Sequence, residues 1–326
     1  MITDVKTKNV DSLTFPAVTF CLTKNWTDNE FETFELNDQL IALCLFDLKK
    51  CKIEDFEKIP FWFHDNDFRT EINCYRFNSG RDSFGNRRKL FKTTHIGIGQ
   101  FRLLINMTSG SYINFYVDHN NDKPSEEKLV NYLYPDTYVR TEIQKTIDEK
   151  LPEPYNPCLD KESINKFESK LVKEIIENDY DYRQLNCYDL CYQKFIESLA
   201  GLRNISLLEA FQNTSNFNRK ENCDNFCPLE CDSVNYETSE IERVLIEEDF
   251  DYYIETFLNN SNDYKKENLL VLRIEYSELK YTQISQTAKM TATDLISNIG
   301  GVLGVFLELS FYSAYLIFEK LIHFNS

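Results

Sequence analysis

A chain of 326 residues with a formal net charge of -17 and a mean hydropathy of -0.45 can bury a sizeable core, and most of it must be water-soluble. The acidic balance excludes a nucleic-acid partner, whose phosphates need a basic footprint, and leaves a surface that concentrates cations. Ten cysteines, an even number, all lie between positions 21 and 231, which points to an oxidising compartment and a disulfide framework.

The amino terminus, Met1-Ile2-Thr3-Asp4-Val5-Lys6, is polar and carries no apolar signal region. A disulfide-rich body needs a route across a membrane. The expectation is therefore that a C-terminal span directs translocation, or that a hydrophobic segment upstream of Met1 does so. Residues 13–22 alternate apolar and small side chains and predict a strand. Residues 28–60 have a helical period, with Phe34, Leu40, Ile41, Leu43, Cys44 and Leu48 on one stripe. Asn73–Phe77, Gly99–Asn106, Tyr112–Val117 and Thr137–Ile143 predict further strands, so this half is mainly β.

Pro152, Pro154 and Pro157 mark a break before Cys158. Beyond it Ile164, Phe167, Leu171 and Ile175 repeat at helical spacing, with Ser163 as N-cap. A second helix is predicted over Cys187–Leu208, and a strand over Leu269–Tyr276. Asn-x-Ser/Thr sequons stand at Asn25, Asn106, Asn204, Asn213 and Asn259, the glycosylation sites an exported chain would offer, although a chain rich in these residues also produces sequons by chance.

The last thirty residues carry Asp294-Leu295-Ile296-Ser297-Asn298-Ile299-Gly300-Gly301 into an apolar run from Val302 to Phe318, interrupted by Glu308. About 20 apolar residues cross a bilayer as a helix, so this is read as one span, with a buried helix of a soluble protein as the alternative. A carboxylate on a span faces a partner helix or a water-filled path. Lys320 and His323 follow with almost no acid, which places the C-terminus in the cytoplasm and the body outside.

Cys187 and Cys191 are four apart, as are Cys223, Cys227 and Cys231. Two antiparallel segments with matched spacing bridge in nested order: Cys191 with Cys223, Cys187 with Cys227, leaving Cys231 for Cys158. Zinc is the rival use of these residues, but the four histidines lie elsewhere, so no metal and no cofactor is expected. No phosphate loop, Gly-x-Ser-x-Gly or His-Glu-x-x-His is present, so no enzyme is expected. The acidic run Glu247–Asp251 could hold a cation, but reads better as a solvated helix face.

Six motifs in order resemble the degenerin, epithelial sodium channel and acid-sensing ion channel family. They are Phe15-Pro16-Ala17-Val18-Thr19-Phe20-Cys21, the pair Cys44 and Cys51, Asn73-Cys74-Tyr75-Arg76-Phe77-Asn78-Ser79-Gly80, Leu151–Cys158, Tyr182–Cys191, and Glu267–Leu272 with Ile299-Gly300-Gly301 to Gly304. The resemblance implies an α+β membrane protein, a disulfide-rich extracellular domain with one C-terminal transmembrane helix in place of the family's two. Its parts would be palm strand (1–24), finger (25–72), palm and β-ball (73–150), braced thumb (151–235), knuckle and palm (236–290), and pore helix with short tail (291–326). The family's pairing adds Cys21 with Cys74 and Cys44 with Cys51 to the three nested bridges. Two further thumb bridges of the family have no counterpart, which implies a looser far end of the thumb.

By the same resemblance the pore constriction falls on Glu308-Leu309-Ser310, with Glu308 where the family has glycine. In a threefold assembly three such carboxylates would form a ring that selects cations and holds a proton or a divalent ion. Asp294, Gly300, Gly301 and Gly304 would belong to the gating helix, Asp294 capping its N-terminus. The implied function is a subunit of a homo- or hetero-trimeric, sodium-preferring cation channel of the plasma membrane, in contact with lipid and sodium ions. The alternative is a non-conducting single-span ectodomain that serves as accessory subunit or ligand-binding module.

Overall fold

The computed structural model describes residues 1–24, 36–37, 40–65, 68–97, 99–108, 110–125, 128, 131–203, 210, 217–258, 264–290, 292–307, 315–316 and 320. These fall into two compact units, one of Val5–Ile284 and one of Met1–Asp4 with Ser285–Ser326.

Two β-sheets form the body of the larger unit. The five-stranded sheet has the order β11-β10-β3-β7-β6, built from β3 (Ala17–Lys24), β6 (Phe56–Asp65), β7 (Phe68–Phe77), β10 (Ser111–Asp118) and β11 (Asn131–Leu133), all antiparallel. The seven-stranded sheet has the order β15-β12-β16-β9-β4-β5, with β1 (Ile2–Asn9) also pairing β16. Its strands are β4 (Ile41–Phe46), β5 (Lys49–Lys50), β9 (Phe101–Asn106), β12 (Thr137–Glu149), β15 (Asp232–Val244) and β16 (Leu269–Thr287). Short pairs β2 (Leu13–Thr14) with β8 (Lys92–Thr93) and β13 (Cys158–Leu159) with β14 (Leu229–Glu230) complete the strands.

Alternation along the strands explains the core. Val18, Phe20 and Leu22, Tyr75 and Phe77, and Ile113 and Phe115 share one cluster with Phe101, Leu103 and Ile105 and with Leu270, Leu272 and Ile274. Side chains of period two thus close the two sheets on one another. Phe77 lies at its centre, its ring centroid 4.5 Å from that of Phe101 and 5.2 Å from that of Phe91. The opposite face of the larger sheet carries Leu104, Leu269 and Val271, covered by Phe250, Tyr253 and Phe257 of a helix over Glu247–Phe257. The acidic run therefore starts a helix, where three carboxylates in the first turn suit the helix dipole.

The helical part comprises α1 (Lys161–Lys166), α2 (Lys170–Glu177), α3 (Gln184–Arg203), α4 (Arg219–Cys223) and α5 (Glu247–Phe257), and the second unit contains α6 (Ala292–Leu307). Three expectations are corrected here. The single helix capped by Ser163 is two helices: Asp160 is the N-cap, accepting from Ser163 N at 2.8 Å, and Phe167 and Ser169 between them leave the helical conformation. Where it is described, the helical stripe over residues 28–60 is a hairpin, β4 to β5, followed by a 3-10 turn at Ile53–Asp55 and the start of β6. Asp47 and Leu48 take φ 54° and 62°, the left-handed pair that a tight two-residue β-turn requires, and Cys44 bridges Cys51 across it. Phe34 lies outside the described residues. The 13–22 strand is divided by Phe15-Pro16 into β2 and β3, and β1, β6, β11 and β15 were not anticipated.

Five bridges are formed: Cys21–Cys74, Cys44–Cys51, Cys158–Cys231, Cys187–Cys227 and Cys191–Cys223, with no free cysteine. The last two tie α3 to the segment around α4 in nested order.

Candidate functional site: a charged seam between helices and sheet

The outer face of the five-stranded sheet is polar although it is buried. Thr19, Tyr116, Arg76 and Glu57 stand side by side across β3, β10, β7 and β6, since Thr19 pairs with both Tyr116 and Arg76, and Arg76 with Glu57. Arg76 is wholly buried. Its guanidinium donates to Asp118 Oδ1 (2.8 Å), Asp122 O (2.7 Å) and His119 O (2.8 Å), so one side chain fixes the loop that leaves β10. Burial would raise the Asp118 carboxyl most, and Arg76 and Lys128 only partly offset it, leaving it above the usual range.

Asn78 explains why the loop after β7 sits where it does. At φ 59° it takes a conformation that asparagine tolerates, donating to Phe15 O (2.5 Å) and accepting from Phe91 N (2.8 Å). Asn120 donates to the same Phe15 carbonyl (2.8 Å) and to Asn78 O (2.6 Å), pinning the β10 loop to this corner.

From the helical side Arg183, just before α3, reaches into the loop. It contacts Asp122 Oδ2 (3.1 Å), Val234 O (2.9 Å), Asn235 Oδ1 (2.8 Å) and Glu230 (3.6 Å), joining loop, helix and β15 through one guanidinium. Burial alone would raise the Asp122 carboxyl, but the hydrogen bond from His119 and the charge of Arg183 outweigh it and hold it below the usual range. His119 Nδ1 lies 3.6 Å from Asp122 and 3.7 Å from Asp181. Asp189 of α3 accepts from Ser125 Oγ (2.6 Å) and pairs with Arg219 of α4 (2.9 Å). On the other flank Arg81 stacks on Tyr180 at 4.2 Å and donates to the carbonyls of Asn178 and Asp179 at the end of α2, while Arg87 pairs with Asp179.

The seam therefore couples four segments through charge. Sequence reading missed these residues. The available signal was Arg76 within the otherwise apolar strand Cys74-Tyr75-Arg76-Phe77, a charge that a buried strand tolerates only when paired.

The anticipated site residues stand elsewhere. Glu308, Leu309 and Ser310, with Asn25, Asn204, Asn213 and Asn259, lie outside the described residues. Asn106 ends β9, half-buried, with its N–H on Leu40 O at 2.8 Å. Asp294 is the third residue of α6, in the first turn rather than at the cap. Gly300, Gly301 and Gly304 are exposed on α6, and a Cβ at Gly300 or Gly301 would meet nothing within 4 Å. Among the described residues no helix is long and apolar enough to cross a membrane, and no cluster suited to a metal ion is found.

A family model described as amiloride-sensitive sodium channel matches residues 22–319. The chain is 23% identical over 331 residues to the bile acid-sensitive ion channel of Mus musculus, covering 91% of this chain and 61% of that protein. It is 22% identical to acid-sensing ion channel 1 of Gallus gallus (91% and 59%) and 20% identical to the epithelial sodium channel subunit beta of Xenopus laevis (83% and 45%). The chain thus spans about three-fifths or less of the curated relatives it matches.

Proposed function

Because this chain belongs to the amiloride-sensitive sodium channel family, we propose that it is a subunit of a cation channel whose disulfide-braced body faces the cell exterior. The observation that carries the reading is the reach of the family match, 22–319, across both the bridged body and the apolar C-terminal run. The subunit assembles as a homo- or hetero-trimer in the plasma membrane, and residues 302–318 form its span, with the C-terminus in the cytoplasm.

In this reading residues 1–24 are a palm strand, 25–72 the finger, 73–150 palm and β-ball, 151–235 the thumb, 236–290 knuckle and palm, and 291–326 the pore helix and tail. The charged seam supports such a division, because it lies where α2 and α3 meet the loops after β7 and β10. A stimulus that moves the helical part pulls through Arg183 and Asp122 on the sheet. β16, 19 residues long, leads in the chain toward α6 and hands on the movement to that helix, which precedes Glu308 in the chain. Three Glu308 carboxylates around an axis favour sodium over anions.

Expression of the chain, alone and with other subunits of the family, tests the reading by voltage clamp. The expected result is a cation current whose selectivity or divalent block changes in Glu308→Gly. A current indifferent to that substitution removes Glu308 from the filter, and no current with any partner or stimulus leaves an accessory ectodomain as the function.

A further inference from the structure

The outer face of the five-stranded sheet ends, at its β11 edge, in a group of aromatic rings that the seam does not use. Tyr112 of β10 is nearly buried, whereas Tyr132 of β11 and Tyr134 just beyond it are 47% and 49% exposed. Their ring centroids lie 5.5 Å and 6.1 Å from that of Tyr112, inclined by 55° and 49°, so the three rings touch as one tilted aromatic cluster. Register fixes what lies at its base. Asn114 pairs with Tyr132 on one side and Cys21 on the other, and strand alternation puts it on the same face as Tyr112.

Asn114 is 0% exposed, and among the described residues neither its Oδ1 nor its Nδ2 has a hydrogen-bond partner. An amide buried with both ends unmet is costly, and such groups ask for a ligand or water that meets them. The tyrosine faces supply negative potential to a cation, and the same sheet face already uses one so: Lys128 Nζ stands 5.8 Å over the ring of Tyr116, two residues along β10. A chain of net charge -17 draws cations to its surface.

We propose that Tyr112, Tyr132 and Tyr134, with the Asn114 amide at their base, form a binding site for an organic ammonium ion bearing a neighbouring oxygen. The rings hold the positive centre. An N–H of the ammonium donates to Asn114 Oδ1, and the ligand's oxygen accepts from Nδ2, satisfying both orphaned ends. Half-exposed tyrosines change rotamer on the nanosecond scale, so Tyr132 and Tyr134 are the wall that admits the ligand.

The test does not depend on the channel reading, because binding is measured without current. The purified full chain in detergent is titrated with ethanolamine, methylammonium and tetramethylammonium, which offer both polar contacts, the N–H alone, and neither; ring-proton shifts or tyrosine fluorescence report binding. The expected order of affinity is ethanolamine, methylammonium, tetramethylammonium. Tyr132→Ala and Tyr134→Ala weaken all three about tenfold, the size of a lost cation–π contact, while Tyr132→Phe keeps them. Asn114→Leu abolishes the difference between the probes. Tyr132 and Tyr134 are exposed, so their variants remain informative if the buried Asn114 variant does not fold. Absence of saturable binding, or affinities unmoved by Tyr132→Ala and Tyr134→Ala, overturns the site.

Discussion

At the scale of single residues the seam stakes much of its stability on two buried ion pairs. Arg76→Ala leaves Asp118 buried without its guanidinium, and breaking a buried pair by one partner costs about 3–5 kcal/mol. Urea denaturation should show that loss. The double variant Arg76→Met with Asp118→Leu should recover only part of it, because the carbonyls of His119 and Asp122 still lack the donors Arg76 gave them. Asp122 carries a pH signature with a definite sign. Its folded pKa is depressed, so its contribution is fully present above the unfolded carboxylate value near ~3.9 and is lost as pH falls through the lower folded value. Asp122→Asn should therefore destabilise the body by about 3 kcal/mol at neutral pH. That deficit should shrink below pH ~4, and thermal melts of both proteins across pH 3 to 7 will show whether it does. A deficit constant over that range would mean that Asp122 acts through packing and not through its charge.

At the scale of elements the nested bridges make a prediction that independent bridges would not. Cys187–Cys227 spans 40 residues and Cys191–Cys223 spans 32 within it. Once the outer bridge is closed, the inner one closes a ring of only about eight residues, worth about 2.5 kcal/mol in chain entropy, against about 3.7 kcal/mol for the same bridge acting alone. Cys191→Ala with Cys223→Ala should thus cost about 2.5 kcal/mol, and removal of all four cysteines about 6 kcal/mol, more than twice as much. Denaturant titration under non-reducing conditions separates the two outcomes. The same bridges show why parts of the fold were legible in the sequence: matched cysteine spacing fixes an order whatever the local conformation, and strands such as Tyr112–Val117 announce themselves by alternation against a dry core. Legibility failed where two structures fit one pattern. Ile41, Leu43, Cys44 and Leu48 satisfy a helical stripe as well as a hairpin, and the turn at Asp47-Leu48 lacks the Asn-Gly or Asp-Gly signal. β15 was invisible for a different reason. From Glu237 to Val244 every residue is exposed, so neither face imposes a hydrophobic period, and only its 13-residue register with β12 makes it a strand. The seam was hidden because its partners, Arg76, Asp118, Asp122 and Arg183, come from loops and strand ends far apart in the chain.

At the scale of the whole molecule, α6 poses a question that a single chain does not answer. Gly300 and Gly301 lie inside a helix of 16 residues, where each costs about 1 kcal/mol relative to alanine. Neither takes a positive φ, and among the described residues a methyl group at either would meet nothing within 4 Å. Among the described residues no contact requires glycine at these positions. On the proposed assembly, small residues here would permit the close approach of another helix, which larger ones forbid. Gly300→Ala with Gly301→Ala should accordingly leave the melting of the bridged body unchanged, and should strengthen the helix itself. In the assembled protein the same pair should reduce the yield of higher-order species on native gels and cut or prolong the current, because added methyl groups hold neighbouring helices apart. If the variant assembles and conducts like the parent, no second helix packs on this face, and the residues around Glu308 must meet water or lipid instead of a threefold axis.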